Sequence, residues 1–310
     1  MIKTLFFRIL QFPLILAVIY VVTFLLCWVA PGSPFENPAG KKLDPIAMQA
    51  LKERFHADST WKFLSYYPTR IVLHGDFGPS LQQREWSVND ILKSSLPISV
   101  TLGIFALTIA SIFGVAMGAY SAVRVGGLAD WFGLTLTLIG ISLPSFVSAA
   151  VLLIIFSGEL KWFPVGGWGG FTNMVLPALA LSLAPMAYIV RLMRASMLDV
   201  LGEDYVRTAR AKGLSRPMVI IKHCLRNAFL PILSFLGPAA ANTLTGSFVV
   251  EKVFNIPGLG EQFVNSVLNR DQTLILGTVI VYSALLLFFN LLVDVSYTFV
   301  DPRIVMGAKS

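Results

Sequence analysis

Charge is scarce in this sequence. Asp, Glu, Lys and Arg together make up 13% of its 310 residues, where an ordinary soluble domain carries about 25%. A chain with so few charged side chains cannot cover a folded surface for water, which excludes a soluble globular domain. Cysteine is scarcer still. There are two, Cys27 inside an apolar run and Cys224 in a basic segment, so a disulfide framework is excluded. The three histidines, His56, His74 and His223, stand in separate segments without metal-ligand spacing. No G-x-x-x-x-G-K-[ST] loop, G-x-S-x-G elbow or H-E-x-x-H helix occurs. ATP binding through a phosphate loop and the commonest hydrolase motifs are therefore absent from the chain. Internal repeats and low-complexity tracts are lacking as well.

What the sequence has in abundance is apolar. It is 55% hydrophobic, with a mean hydropathy of +0.73. Six stretches are long enough to cross about 30 Å of hydrocarbon as helices: Ile9–Ala30, Leu96–Tyr120, Trp131–Phe156, Met174–Met193, Phe229–Val250 and Leu274–Val295. The expected fold class is an all-α membrane protein with six transmembrane helices. The first run is too long for the core of a signal peptide and no small-x-small cleavage site follows it, so it is expected to remain as an anchor. Proline interrupts the third run (Pro144), the fourth (Pro177, Pro185) and the fifth (Pro231, Pro238), which predicts kinks. Gly114-x-x-x-Gly118 in the second run permits close helix contact. Within the runs Asp294 is the one acidic candidate, read as an interfacial hydrogen-bonding residue, and ion-coupled carriers usually bury several such groups.

Basic residues set the expected orientation. With the N-terminus cytoplasmic, thirteen Lys and Arg fall inside and three, Lys161, Lys252 and Arg270, in the short outer loops. That asymmetry places both termini in the cytoplasm. It also accounts for the net charge of +7 without a nucleic-acid partner. The long outer segment 31–95 predicts two helices. One starts at Asp44 as N-cap with Pro45 behind it and an apolar stripe of Ala47, Leu51 and Phe55. The other is "STWKFLSYYPTRIVL", which ends in the turn-rich "HGDFGPS". Together they form a small helical cap, either a plug over the helix ends or a docking site for a partner.

One stretch departs from the oily background. In "EDYVRTARAKGLSRPMVIIKHCLRNAFLP", residues 203–231, five Arg or Lys fall between Arg207 and Lys222. A helix is predicted from Met197 to Lys212, with Leu198, Leu201, Tyr205 and Ala209 as its apolar stripe. Gly213 can end it in the left-handed conformation, Ser215 suits the next N-cap, and Pro217 its first turn. Ile221, Cys224, Leu225 and Ala228 then share one side of a second helix. The segment reads as a topological anchor or as a docking helix for a cytoplasmic protein. A DNA-reading helix-turn-helix also has a glycine turn, but this segment is held to the bilayer at both ends. In the docking reading Thr208, Ala209, Ala211 and Gly213 allow close approach.

"DYVRTARAKGLS" followed by "HCLRNAFLP" resembles the cytoplasmic coupling motif of ABC-transporter membrane subunits, in the form used by the peptide and nickel importer family. The usual motif begins Glu-Ala-Ala and has Gly four positions after the second Ala. Gly213 and Ala209 match it, while Arg207 and Thr208 replace Glu and Ala. "APGSPF", "HGDFGPS", "VVEKVFNIPGLGEQFVNSVLNRDQ" and the "DP" at 301–302, in this order, resemble the B subunits of oligopeptide permeases. The resemblance implies a type I ABC importer transmembrane domain over residues 94–299. Residues 1–93 would hold the first span and the outer helical segment, and residues 300–310 a cytoplasmic tail. It implies a second homologous permease subunit, two cytoplasmic ATPase subunits that hold ATP and Mg, and an extracytoplasmic peptide-binding protein. No cofactor or catalytic residue is expected in this chain, which belongs in a bacterial inner membrane as a multi-pass subunit. Tyr205, Arg207, Thr208, Ala209, Arg210, Ala211, Lys212, Gly213 and Leu214 are the expected ATPase-coupling residues. Asn242, Thr243, Thr245 and Ser247 in the fifth span, with Ser142 and Ser145 beside Pro144, are the pathway candidates. The alternatives are dipeptide, glutathione or nickel as cargo, or, in other classes, a self-sufficient secondary transporter or an intramembrane enzyme.

Overall fold

The structure is a computed structural model that describes residues 2–30, 49, 60–83 and 85–300. The helix expected from Asp44 lies outside the described residues, as do residues 301–310. All regular structure among the described residues is helical, apart from one isolated bridge between Pro79 and Ser87. In chain order the helices are α1 (Ile2–Val29), α2 (Thr60–His74), α3 (Val88–Val123), α4 (Leu128–Ser142), α5 (Ser145–Leu152), α6 (Phe171–Leu201), α7 (Asp204–Ala211), α8 (Arg216–Met218), α9 (Leu225–Ala228), α10 (Leu230–Val253), α11 (Leu259–Leu268) and α12 (Gln272–Val300). Helices α1, α3, α6 and α12 are each long and apolar enough to span a membrane. Six spans result if the bent pairs α4–α5 and α8–α10 each count as one.

The expected third run is bent far more sharply than a kink, by 109°. Proline dictates the break on both of its sides. Leu143 is extended at φ −90°, ψ 122° and Pro144 at φ −56°, ψ 142°, because a residue before proline is pushed out of the helical region. The helix restarts as the carbonyl of Pro144 accepts the N–H groups of Val147 and Ser148. Beyond α5 the chain widens into a π-helical turn, Leu153–Glu159. The fifth run bends by 51° at Phe229, with Pro231 in the first turn of α10, where its missing N–H costs nothing.

The chain divides into two compact units, residues 1–99 with 257–287, and residues 100–256 with 288–310. In the first unit α2 carries Phe63 and Tyr67, which stack on each other at 5.5 Å and on Phe24 and Tyr20 of α1 at 5.8 and 6.0 Å. Tyr67 is fully buried and donates to the carbonyl of Thr273, 3.0 Å away; burial pushes its phenol pKa well above the ordinary value. Two segments far apart in sequence are wired together here. Ser80 of "HGDFGPS" donates to the buried carboxylate of Asp271, which also takes the N–H of Leu274 as the N-cap of α12. Thr273 Oγ1 bridges the same carboxylate and the carbonyl of Pro79. Beside them Asp76 pairs with Arg70 and accepts the N–H of Gly78. Partial burial acts to raise the Asp76 pKa, but the Gly78 hydrogen bond and the Arg70 guanidinium outweigh it and hold the carboxyl below its usual range.

In the second unit α6 is the central element. Within its most apolar window 61% is buried, against 11% for α1. Small residues let its neighbours come close. A Cβ on Gly114 would lie 2.7 Å from Ile189 Cγ2, one on Gly118 would lie 2.6 Å from the Val190 carbonyl oxygen, and one on Gly140 2.8 Å from Ala187 Cβ. The Gly114-x-x-x-Gly118 pair thus seats α3 on the backbone of α6. Helices α4, α5 and α10 pack against α6 as well.

Candidate functional site

The basic segment folds as two helical pieces on an apolar base. The expected continuous helix from Met197 to Lys212 is broken: α6 ends at Leu201, Gly202 and Glu203 form a turn, and α7 begins at Asp204. Glu203 is extended (φ −69°, ψ 148°), and its carbonyl accepts the N–H groups of Val206 and Arg207. The break resets the helical phase, so the apolar stripe also differs. Val206 and Ala209 are the buried residues of α7, while Tyr205 lies on its exposed side. Ala209 therefore packs inward rather than fronting the surface. Tyr205, Arg207, Thr208, Arg210, Ala211, Lys212 and Gly213 are exposed, and Leu214 is half-buried.

The end of α7 is closed as its sequence predicts. Gly213 is left-handed, with φ +82°. Its N–H donates to the Arg210 carbonyl, and the Leu214 N–H reaches back to Ala209. That paired pattern is the Schellman closure, which satisfies carbonyls the last turn would otherwise leave bare. Asp204 in the first turn and Arg210 in the last both suit the helix dipole. Ser215 takes the extended geometry of an N-cap, although its side chain makes no capping hydrogen bond. Pro217 sits in the first turn of α8 as expected, and the chain then runs through a π-helical turn, Val219–Cys224, into α9. Tyr205 ties the two pieces together: its hydroxyl accepts from Asn227 Nδ2 at 2.8 Å and donates to the His223 carbonyl at 3.5 Å.

Beneath this face lies one continuous core. It joins Ala110, Ala119 and Ala122 of α3, Ile189, Val190, Met193 and Met197 of α6, Val206 and Ala209 of α7, Val219, Cys224 and Ala228 of the second piece, and Ile232 of α10. A polar cluster borders it. Arg194 of α6 grips Asp130 of α4 side-on, donating from Nε at 2.6 Å and from Nη2 at 2.9 Å. Asp130 also accepts from the Ser121 hydroxyl and, at 2.9 Å, from the Gly126 N–H. Its side chain is 5% exposed and that of Arg194 23%. Arg216 Nη2 reaches the carbonyl of Val123, the last residue of α3, at 3.4 Å. Sequence reasoning missed this cluster, because Asp130 and Arg194 are 64 positions apart and each reads alone as a charge beside a span. The nearest sequence signal is Asp130 itself, a carboxylate set directly against an apolar run. Asp294 was the expected ionisable group, but its side chain lies outside the described ones.

The pathway candidates are dispersed among elements. Ser142 ends α4 and is exposed, Ser145 opens α5 and is half-buried, and Thr243 on α10 is buried. Helix α5 packs against α10. Asn242, Thr245 and Ser247 also lie on α10, but their side chains are outside the described ones.

An all-helical membrane subunit of bent spans, which presents a short basic helix between two of them on a packed base, has the architecture of a type I ABC importer permease. The chain belongs to the binding-protein-dependent transport system inner membrane component family, which residues 111–306 match. It is 43% identical over 292 residues to the dipeptide transport system permease protein DppB of Bacillus subtilis, covering 94% of each chain. It is 39% identical to the oligopeptide transport system permease protein OppB of Haemophilus influenzae, covering 98% of this chain and 99% of that one. OppB of Escherichia coli K12 is 40% identical over 93% of this chain and 94% of its own. Two solved structures share the fold. One is an amino acid ABC transporter with histidines (TM-score 0.52, 19% identity, 67% of this chain and 94% of that one). The other is the inward-facing MetNI methionine ABC transporter (TM-score 0.53, 15% identity, 68% and 98%). The protein is thus an integral inner-membrane permease subunit of the ABC peptide-importer family.

Proposed function

We propose that the protein forms, with a second homologous permease subunit, the pathway by which an ATP-driven importer takes up oligopeptides delivered by an extracytoplasmic binding protein. Two cytoplasmic ATPase subunits hold ATP and Mg and carry out hydrolysis, and both termini of this chain are cytoplasmic. Helix α7 and its closing turn, Tyr205 to Leu214, are the surface on which an ATPase subunit bears. Tyr205, Arg207, Thr208, Arg210, Ala211, Lys212 and Gly213 meet the partner, and Ala209 and Leu214 seat the helix from below. Closure of the ATPase pair draws α7 inward, and α6 and α10, which flank the segment, tilt to switch the pathway.

The observation that carries this reading is the ordered, Schellman-capped helix on a continuous core. Shifting a two-state equilibrium from 1:99 to 99:1 takes about 5.5 kcal/mol of differential binding, and only a stiff contact transmits such a bias. Ser142, Ser145, Asn242, Thr243 and Ser247 are assigned to the pathway, whose small and mildly polar groups suit peptides of varied side chain. Dipeptide cargo is the second reading, favoured by the 43% identity to a dipeptide permease. Uptake of labelled tetrapeptide and dipeptide by a deletion strain, restored with the wild type or with Gly213→Pro at equal membrane abundance, tests both. The expected outcome is tetrapeptide uptake restored by the wild type and lost in the variant. Restoration of dipeptide uptake alone overturns the oligopeptide assignment, and equal uptake by both proteins overturns the coupling role.

A further inference from the structure

We propose that Asp130 and Arg194 are positioning residues of the coupling step, clamping the α3–α4 turn to α6 so that this turn moves with α7. The inference rests on the coupling role given above to α7 and adds a second route out of it. In that account movement passes from α7 to the spans that flank it in sequence, α6 and α10. The polar cluster recruits α3 and α4 as well.

Three ties converge on residues 119–130, and each comes from a different element. Arg194 reaches them from α6, seven residues before that helix ends. Arg216 reaches the Val123 carbonyl from the start of α8, just beyond the turn that closes α7. Ala119 and Ala122 enter the same buried core as Val206 and Ala209 of α7. Apolar contacts of this kind are non-directional and permit small sliding movements. A planar guanidinium fork on a carboxylate is directional and fixes both distance and angle. Asp130 is held on its other side by Ser121 and by the backbone of Gly126, so it cannot follow Arg194 without dragging the turn along. The carboxylate is therefore fixed from three directions: by α6, by the end of α3 and by the turn itself. A buried pair adds little net stability compared with apolar packing. Its specific contribution here is registry between elements.

Removing the pair leaves α7 able to receive the push while α3 and α4 lag behind. ATP is then hydrolysed with less peptide carried. The test measures ATP hydrolysis and labelled-tetrapeptide uptake on the same right-side-out membrane vesicles, loaded with ATP and containing the complete transport system. The variants are Asp130→Asn, Arg194→Lys and Ser121→Ala, with Gly213→Pro alongside. The expected result is a fall of roughly tenfold in peptide carried per ATP for Asp130→Asn, within the range that residues touching neither ligand exert on a coupling. Arg194→Lys, which keeps the charge and loses the fork, falls less, and Ser121→Ala least. Ser121→Ala removes one hydrogen bond and no charge, so it keeps the test valid if the charge variants fail to reach the membrane. Hydrolysis and uptake declining together with subunit abundance, at a constant ratio, overturns the proposal and leaves the cluster a stability contact. A wild-type ratio in Ser121→Ala together with Arg194→Lys overturns it too. If Gly213→Pro itself keeps the wild-type ratio, the coupling role of α7 falls, and this inference falls with it.

Discussion

Gly213 is the residue whose role could be read in advance. A glycine after a run of helix formers, followed by a new N-cap and proline, signals a left-handed closure, and its φ of +82° agrees. Among the described residues, no atom beyond Gly213 and its two chain neighbours lies within 4 Å of the place where a Cβ would stand, so the demand is conformational and not steric. Gly213→Asn should fold and couple normally, whereas Gly213→Ala costs about 1–2 kcal/mol for the left-handed backbone. Gly213→Pro locks φ near −65° and deletes the N–H that closes onto Arg210. Uptake measured across the three should fall in the order Asn, Ala, Pro, and a proline variant as active as the asparagine one would show that the turn is not needed. Ala209 was legible only in part. Its small size was clear, but its inward direction depends on the phase reset at Gly202 and Glu203, which no periodicity that runs through the break reveals.

At the scale of elements, the spans were visible as apolar runs and their joints were not. Pro144 announced a kink, yet the 109° angle arises because Leu143 and Pro144 are both extended, a local choice that hydropathy does not register. The contact of α3 with α6 was half-legible: the Gly-x-x-x-Gly spacing was present, but the partner helix was not named by it. Gly118 meets a backbone carbonyl, which cannot rotate out of the way. Gly118→Ala should therefore destabilise the protein by about 1–3 kcal/mol, the usual cost of overpacking. Gly114→Ala presses on the Ile189 side chain, 2.7 Å away, and also comes within 3.2 Å of the Met186 carbonyl. It should cost less, because the closest atoms belong to a side chain. Thermal unfolding of the purified subunits in detergent checks the order, and equal melting temperatures would show that the helices can separate at no cost. The Asp130–Arg194 pair also belongs to this scale. Charge pairing between helices depends on which faces meet, and that is decided by packing rather than by either sequence alone.

For the whole molecule, composition was enough to give the membrane class, and the ordered set of short motifs was enough to give the family. Orientation is the prediction that belongs here. Alkaline phosphatase fused after Gln83 should be active, the same enzyme fused after Lys212 inactive, and a fluorescent protein after Ser310 bright, as expected when both termini face the cytoplasm. An active fusion after Lys212 would reverse the topology and remove α7 from the ATPase side. What no sequence pattern showed was that two of the family's motifs touch. "HGDFGPS" and "NRDQ" each read as a loop, and only the structure makes them partners through Ser80 and Asp271.

That partnership sets an order of events during synthesis. Ser80 leaves the ribosome 191 residues before Asp271, so the loop that follows α2 can make its local Asp76 contacts at once, but Ser80 has no partner carboxylate until Asp271 has been made. The second unit also takes in residues 288–310, but its buried α6-centred core, from Ala110 to Ile232, comes from one uninterrupted stretch and can assemble while translation continues. The first unit, which begins with the first residue, is completed by residues 257–287. The part of the protein that is born first is therefore among the last to mature, and any quality-control step that inspects the segment between α2 and α3 inspects, in effect, whether the final span has arrived.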